Sequence, residues 1–254
     1  MVEAHVSVIM PCFDGLPFLR ESVASVLNQT HDDLELLVID DGSVDASREF
    51  VTEQASVDSR IRLFATDGGE GPARARNLGM AAATGRYLAF LDADDIWLPH
   101  KLEAHLHFMA RNEVVFSWCP FIEITADGAR GRTVASWRQC SAADLLDKRT
   151  VMGCSTVIFD RERLGTQLMP DIRMRQDLGL WLRLLRMCED RGLKAQGLEE
   201  ALVLYRVHPG SLSSGKLRAA FYQWRLLRDV ERLPLGRAWV RFAAYAWRSV
   251  AARL

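Results

Sequence analysis

The sequence has few cysteines and no spacing that would pair them. Its 254 residues include five cysteines, an odd number without a CxxC pair. This argues against a disulfide framework and a cysteine zinc site, and it favours a reducing compartment. Long apolar runs are also missing, and residue 3 is an acid where an export signal would carry basic residues. The sequence therefore predicts neither a membrane span nor a secretion signal, and we expect a cytoplasmic protein.

Net charge is nearly absent, at −1, but the charges are unevenly distributed. Residues 216–254 contain nine basic residues and only two acids. Hydrophobic residues make up 49% and charged residues 26% of the chain, which excludes a disordered protein, a collagen and a coiled coil. The length allows one large α/β domain with a small appendage, and the basic end suggests an anionic partner for that appendage.

Short apolar runs alternate with helical patterns in the first half of the chain. The runs predict strands at 6–10, 34–39, 61–65 and 87–91. Apolar residues at helical spacing between them predict helices over 17–29, 45–55 and 73–83. This alternation predicts βαβ units and an α/β fold with a mostly parallel sheet flanked by helices. Ligands of such sheets bind beyond the carboxyl ends of the strands.

The second half follows a less regular pattern. Further strands are predicted at 114–118, 121–125, 155–159 and 201–207. A strong amphipathic pattern predicts a helix over 176–188.

Acidic residues follow two predicted strands and open the long helix: Asp40, Asp41, Asp92, Asp94, Asp95 and Asp177. Carboxylates gathered at one sheet edge repel one another, and their burial is unfavourable unless a cation or hydrogen-bond donors compensate. Such oxygen ligands suit Mg²⁺ or Mn²⁺ shared with substrate phosphates. Either cluster alone is more typical of a solvated turn, but two clusters in one parallel sheet favour a metal site.

An ordered set of motifs carries a family resemblance. The motifs are VSVIMPCFDG at 6–15, DDGSVD at 40–45, ARNLG at 75–79, LDADD at 91–95, RQD at 175–177 and LWL at 180–182. In this order and spacing they resemble family 2 glycosyltransferases of the GT-A fold, over about residues 4–215. Two further motifs, GCSTV at 153–157 and YRVHPGSLS at 205–213, resemble the bacterial subgroup that builds surface polysaccharides, teichuronic acid and lipooligosaccharide.

The resemblance implies a GT-A domain over residues 1–215, with a nucleotide-binding half at 1–110 and an acceptor half at 111–215. The remaining segment, 216–254, is expected to be a basic, aromatic helical extension. The donor is expected to be a nucleotide-sugar, with UDP as the nucleotide.

The donor site is implied residue by residue. Pro11 and Phe13 lie in the loop that holds the base in the family, where the Phe13 ring would stack on uracil. The family usually has Tyr-Asn at this place, so Phe13-Asp14 departs from its pattern and lacks a hydroxyl. Asp41 matches the carboxylate that accepts from the uracil N–H.

Three basic side chains are candidates for contact with the donor diphosphate. Arg76 matches a family position where a guanidinium pairs with phosphate, and a helix-surface arginine is the alternative. His208 is predicted to donate to the diphosphate or to lie near the metal, and Arg206 is a further candidate donor.

Two acids are implied as metal ligands and one as the base. Asp92 and Asp94 match the DxD motif, in which Asp94 would ligate Mn²⁺ or Mg²⁺ and Asp92 would contact the ribose or the metal. The cation would neutralise charge on the leaving diphosphate. Asp177 matches the general base that deprotonates the acceptor hydroxyl in an inverting displacement, and Gln176 replaces the preceding glutamate of the family. A helix N-terminal acid favoured by the macrodipole is the alternative interpretation of Asp177.

The basic and aromatic residues of 216–254 favour a helix that lies on an anionic membrane surface. Helices packed on the domain and a binding site for another protein are the alternatives, and no nucleic-acid partner is expected. The predicted activity is inverting, metal-dependent sugar transfer to a glycan or lipid-linked acceptor at the inner face of the membrane. A nucleotidyltransferase, which would need a glycine-rich loop after the first strand, and an inactive glycan-binding or scaffold protein are the alternative functions.

Overall fold

The computed structural model describes residues 4–209 and 215–251. Strands β1 to β11 span, in chain order, Val6–Cys12, Leu34–Asp40, Ile61–Ala65, Tyr87–Phe90, Ile96–Trp97, Val114–Trp118, Phe121–Ile124, Arg130–Val134, Ile158–Asp160, Lys194–Gly197 and Val203–Arg206. Helices α1 to α9 span Leu16–Leu27, Ser47–Val57, Pro72–Ala82, Lys101–Asn112, Ala142–Leu146, Arg161–Leu164, Gln176–Arg191, Lys216–Arg225 and Leu235–Ala251.

The large sheet has seven strands in the order β10-β6-β9-β4-β1-β2-β3. Only β9 runs antiparallel to its neighbours, and the other pairs are parallel. The mixed α/β architecture with a mostly parallel sheet is therefore confirmed. All seven residues of β2 are buried, as expected of a parallel strand covered on both faces.

Successive residues of the central strands face two different apolar layers, because side chains alternate along a strand. Val8 and Met10 belong to the layer that contains residues of α1 and α2. Ile9 and Ile39 belong to the layer that contains residues of α3 and α7. The sheet is thus held between two layers, and its carboxyl edge stays open for a site.

A second, four-stranded sheet has the order β5-β11-β7-β8. Its strand β5 directly follows the LDADD motif, and β11 pairs with β5 through Val203 and Trp97. This pairing brings the residues after β11, including His208, to the acidic loop that follows β4.

The structure differs from the sequence-based strands and helices in several places, and β8, β10, α5 and α6 are among the elements that were not predicted. Helix α4 was not predicted, although Leu102, Leu106 and Met109 lie at helical spacing and are buried. The strand predicted at 155–159 was wrong in its first half, because Cys154–Thr156 forms a 3₁₀ turn closed by a bond from Thr156 N to Gly153 O. The late strand is shorter than predicted and covers Val203–Arg206.

The C-terminal helices pack on the sheet domain. Leu226, Leu227 and Ala238 are fully buried and belong to the same apolar layer as Ile9. A π-helical turn, Leu226–Val230, connects α8 to the loop before α9. None of the helices in residues 4–209 and 215–251 is long and apolar enough to cross a membrane.

Candidate active site

A cleft of about 800 Å³ lies at the carboxyl edge of the large sheet. Eight of the residues predicted to bind donor or metal or to act as the base line it: Pro11, Phe13, Asp41, Arg76, Asp92, Asp94, Asp177 and His208. Carboxylates that are far apart in the chain therefore meet in one cavity. The roles predicted for these residues remain predictions, since the structure shows only where they lie.

One end of the cleft is formed by the loops after β1 and β2. Phe13 is 58% exposed there, so its ring face is open to a planar ligand. Asp14, for which no role was predicted, has a positive φ of 48° and accepts a hydrogen bond from Val44 N at 2.8 Å. Asp14 thereby joins the two loops that carry Phe13 and Asp41. Its position in the motif, next to an expected turn, was the only signal for this function.

Asp41 is buried and already bonded to the protein. Its Oδ1 accepts from Thr66 Oγ1 at 2.6 Å and from Glu70 N at 3.0 Å, and its Oδ2 accepts from Gly71 N at 2.7 Å. A carboxylate oxygen accepts about two hydrogen bonds, so Oδ2 retains one acceptor position. This geometry leaves room for one donor from a ligand.

The acidic loop after β4 holds three carboxylates close together. One oxygen each of Asp92, Asp94 and Asp95 lies within 4.8 Å of the others. Burial and the nearby charge of Asp92 raise the pKa of Asp94, although His208 Nε2 lies 3.0 Å from its Oδ2. Such crowding is relieved when a divalent cation binds. Hard oxygen donors of this kind fit Mg²⁺ or Mn²⁺, and Asp92 and Asp94 are the two that line the cleft.

Asp95 supports this loop from beneath. It is fully buried, and its two oxygens are bonded to Ser155 Oγ at 2.5 Å and to Arg206 N at 2.9 Å. The same Ser155 hydroxyl accepts from Asp92 N at 3.1 Å. Ser155 therefore ties Asp92 to Asp95, a function that the sequence did not reveal although its GCSTV motif was recognised.

Arg76 is a buried residue of α3, so the alternative of a helix-surface arginine is wrong. It is 4% exposed and forms an ion pair with Asp92. Burial lowers the pKa of Arg76, but Asp92 and, more weakly, Asp177 act against burial and leave it raised. Its Nε and Nη1 have no partner within the described residues, which leaves two donors for an anion.

Arg206 does not reach the cleft, so its candidacy as a diphosphate donor was wrong. Its guanidinium is 2% exposed and bonds Asp94 O at 2.9 Å, Ala126 O at 2.9 Å and Glu21 Oε2 at 2.5 Å. It also lies 4.6 Å from the centre of the Phe18 ring. Arg206 therefore holds the acidic loop in place rather than binding a ligand.

Asp177 stands in the first turn of α7 at the other end of the cleft. Arg175 precedes the helix with a left-handed φ of 68°. The Asp177 carboxylate accepts from Leu178 N at 2.8 Å and is half-buried. Its neighbour Gln176 is buried, and its Oε1 has no hydrogen-bond partner among the residues that the structure describes. The Asp177 carboxylate thus lines the cleft with one oxygen bonded to the backbone of α7.

The loop that follows His208 in the YRVHPGSLS motif includes residues 210–214, which lie outside the described residues.

The family model for glycosyl transferase family 2 matches residues 7–159. Over 249 residues the chain is 38% identical to a Bacillus subtilis protein assigned as the teichuronic acid biosynthesis glycosyltransferase TuaG, covering 98% of this chain and 97% of that protein. It is 36% identical over 232 residues to WfgD of Escherichia coli, a UDP-Glc:alpha-D-GlcNAc-diphosphoundecaprenol beta-1,3-glucosyltransferase, covering 91% of this chain and 88% of WfgD.

Solved structures agree in fold. S. aureus TarS 1-349 in complex with UDP-GlcNAc superposes with a TM-score of 0.68 at 15% identity, covering 95% of this chain and 71% of that one. The chain spans 43% of a longer crystallised TarS chain. The mannosyltransferase PcManGT of Pyrobaculum calidifontis, in complex with GDP-Man and Mn²⁺, superposes with a TM-score of 0.67 at 20% identity, covering 98% of this chain and 76% of that one.

Proposed function

The chain belongs to glycosyl transferase family 2, and from that premise we propose that it transfers a sugar from UDP to a lipid-linked glycan with inversion at the anomeric carbon. The observation that carries this proposal is the single cleft that joins Asp41, Asp94 and Asp177. A donor site, a cation site and a base are all needed for such a transfer, and the cleft has a candidate for each.

The donor is proposed to be a UDP-sugar. Phe13 offers an exposed ring for the base, and Asp41 Oδ2 retains one acceptor position for an N–H. WfgD, which is 36% identical over nearly its whole length, is named for a UDP-Glc donor. We assign Pro11 to the same base-binding loop, because it lines the cleft beside Phe13.

A divalent cation, Mn²⁺ or Mg²⁺, is proposed at Asp94 and Asp92, where the three crowded carboxylates fit a hard cation. When bound, it supplies charge neutralisation for the leaving diphosphate. Arg76, through its free Nε and Nη1, and His208, beside Asp94, are assigned to hold the same diphosphate.

The acceptor side is assigned to Asp177. As the hydroxyl attacks the anomeric carbon, the Asp177 carboxylate removes its proton, and the bond to the diphosphate breaks on the opposite face of the sugar. One base is sufficient for this displacement, because the leaving group departs as a stabilised anion. The sugar configuration is therefore inverted.

The acceptor is proposed to be a glycan carried on a polyprenyl diphosphate at the cytoplasmic face of the membrane, in synthesis of a cell-surface polysaccharide. TuaG is named for teichuronic acid biosynthesis and WfgD for a diphosphoundecaprenol-linked acceptor, and both are similar to this chain over most of their length.

Calorimetry of UDP binding with Mn²⁺ and with EDTA tests the donor and cation sites. We expect binding with Mn²⁺ that weakens strongly in EDTA and in Asp94→Asn. Equal UDP affinity under all three conditions would reject the cation site. Mass spectrometry of products from a panel of nucleotide-sugars then identifies the sugar, and the absence of turnover with every donor and lipid acceptor would favour the inactive scaffold.

A further inference from the structure

Helix α9 leaves an apolar stripe exposed to solvent, whereas Arg241 and Arg248 of the same helix face the domain. The exposed residues of its outer face are mostly apolar: Leu235, Gly236, Arg237, Trp239, Val240, Ala243, Ala246 and Trp247. Val240 is 70% exposed and Trp247 is 76% exposed. An apolar stripe on the solvent side of a packed helix is the reverse of the usual arrangement, and a contiguous patch of this kind marks an interaction surface.

The inner face of α9 combines apolar packing, through Ala238 and Phe242, with polar contacts to the domain. Arg241 forms an ion pair with Asp147, and Arg248 Nη1 donates to Asp147 O at 2.6 Å. Tyr245 is buried, and Arg175 Nη2 donates to its hydroxyl at 2.9 Å. Two of the arginines that made 216–254 basic in sequence are therefore used to attach the helix, with their charges directed towards the protein.

We infer that the outer face of α9 is a bilayer-contacting surface, which inserts Leu235, Trp239, Val240 and Trp247 shallowly among lipid headgroups. The choice of a bilayer rests on the proposed function, because a polyprenyl-linked acceptor is held in a membrane. Charge is compatible with this partner, since α9 contains no Asp or Glu. The two acids earlier in the segment, Asp229 and Glu231, are paired with Arg225 and Arg186.

The position of α9 relative to the cleft supports this partner. Arg175, which bonds Tyr245, lines the cleft two residues before Asp177, and Ala219 of α8 lines it as well. A bilayer seated on α9 would therefore lie beside the end of the cleft assigned to the acceptor. Tryptophan at both ends of an apolar stripe, with an exposed Arg237 at its edge, is typical of a helix lying in the interface plane.

The surface acts mainly by apolar insertion, and this has a measurable consequence. Electrostatic attachment fails at about 1 M salt, where the Debye length is about 3 Å, whereas apolar insertion persists. Apolar insertion also takes place on zwitterionic lipid, which carries no net charge.

The test is sedimentation of the full chain with phosphatidylcholine vesicles, and with vesicles that also contain phosphatidylglycerol, at low and high salt. We expect binding to both, retained at high salt. Val240→Glu combined with Trp247→Glu is expected to reduce binding by at least about tenfold. Val57→Glu is the matched control, since Val57 is 85% exposed on α2 and its substitution should leave vesicle binding unchanged. Retained UDP binding by the α9 variant verifies that it is folded.

Three results would overturn the inference: no binding to either vesicle, binding that is confined to anionic vesicles and removed by salt, or a dimer in sedimentation velocity that the α9 variant dissociates. The last would make a second copy of the chain the partner. Vesicle binding is measured without donor or acceptor, and transfer to a water-soluble acceptor analogue is measured without vesicles. A failure of this surface is therefore distinguishable from a failure of the proposed function.

Discussion

At the edge of the large sheet where β1 and β2 begin, the carboxylate of Glu35 is surrounded by donors that belong to the protein. It accepts hydrogen bonds from Ser7 Oγ at 2.6 Å, Thr84 N at 2.6 Å and Arg62 Nη1 at 2.7 Å. Burial raises the pKa of Glu35, but these bonds outweigh burial and lower it to about 2. The charge of Glu35 therefore stabilises the fold.

At the opposite edge, where β4 ends, three carboxylates lie close together, and the protein donors to Asp94 and Asp95 do not outweigh burial and mutual repulsion. Burial and the neighbouring acids raise the pKa of Asp94 and of Asp95. The two edges carry the same kind of side chain with opposite pKa shifts. A carboxylate whose charge is stabilised by the protein serves the fold, whereas the carboxylates crowded together at the cleft are the place where we propose that the cation binds.

The largest expected effect is at Asp177, in the cleft at the carboxyl edge of the large sheet. Asp177→Asn should lower turnover by about 10²–10⁴-fold, because the amide cannot accept the acceptor proton. UDP affinity should stay unchanged. Asp190→Asn, an exposed acid on the same helix, is the matched control in steady-state kinetics. Turnover retained within a few-fold would remove Asp177 as the base.

The next largest effect is expected at Asp94, and it distinguishes the edge where β4 ends from the edge that carries Glu35 most directly. Asp94→Asn should lower transfer by about 10²–10³-fold, through lost stabilisation of the leaving diphosphate. Its thermal unfolding in EDTA should occur at an equal or higher temperature, because the substitution removes repulsion with Asp92. A clear fall in the unfolding temperature would show that the Asp94 charge serves the fold.

Glu35→Gln is the corresponding change at the edge where β1 and β2 begin. It should lower the free energy of unfolding at pH 7 by about 2–3 kcal/mol, because charge-assisted hydrogen bonds to a buried carboxylate are lost. Urea denaturation measures this, with exposed Glu53→Gln on α2 as the control. Donor affinity at the far edge should not change, and a stability equal to that of the wild type would contradict the assigned role.

The pH dependence of stability gives a smaller, graded version of the same effect. Glu35 has a pKa of about 2 in the folded protein against an ordinary value of 4.5, so the folded state binds fewer protons in this interval. Its stabilising contribution is complete above pH 4.5 and is lost as the pH falls towards 2. Urea denaturation across this interval should show a steeper loss in the wild type than in Glu35→Gln, and parallel curves would contradict the assignment.

Much of the candidate site could be predicted, because its signals are local in the chain. The ends of β1, β2 and β4 follow from apolar runs that stop at turn residues, and the acids after them were identified with their neighbours Pro11 and Phe13. The start of α7 at Gln176 was also predicted. The role of Arg206 was not, because its three bonding partners come from α1, the loop after β4 and the loop after β7.

The C-terminal segment shows the same limit. Composition alone suggested that its arginines would face an anionic surface, but Arg241 and Arg248 turn towards Asp147, about a hundred residues earlier in the chain. Helical spacing predicts which residues share a face, yet it does not predict which face meets the domain.

The sequence by itself determined the family, the order of strands and helices around the sheet edge, and the identity of the acids placed there, since each is written in short contiguous motifs. Only the tertiary structure decided which of those acids have their lone pairs filled by Thr66, Gly71 or Ser155, and which side of α9 is left outside. Those outcomes depend on partners distant in the chain, whose approach is set by packing of the whole core.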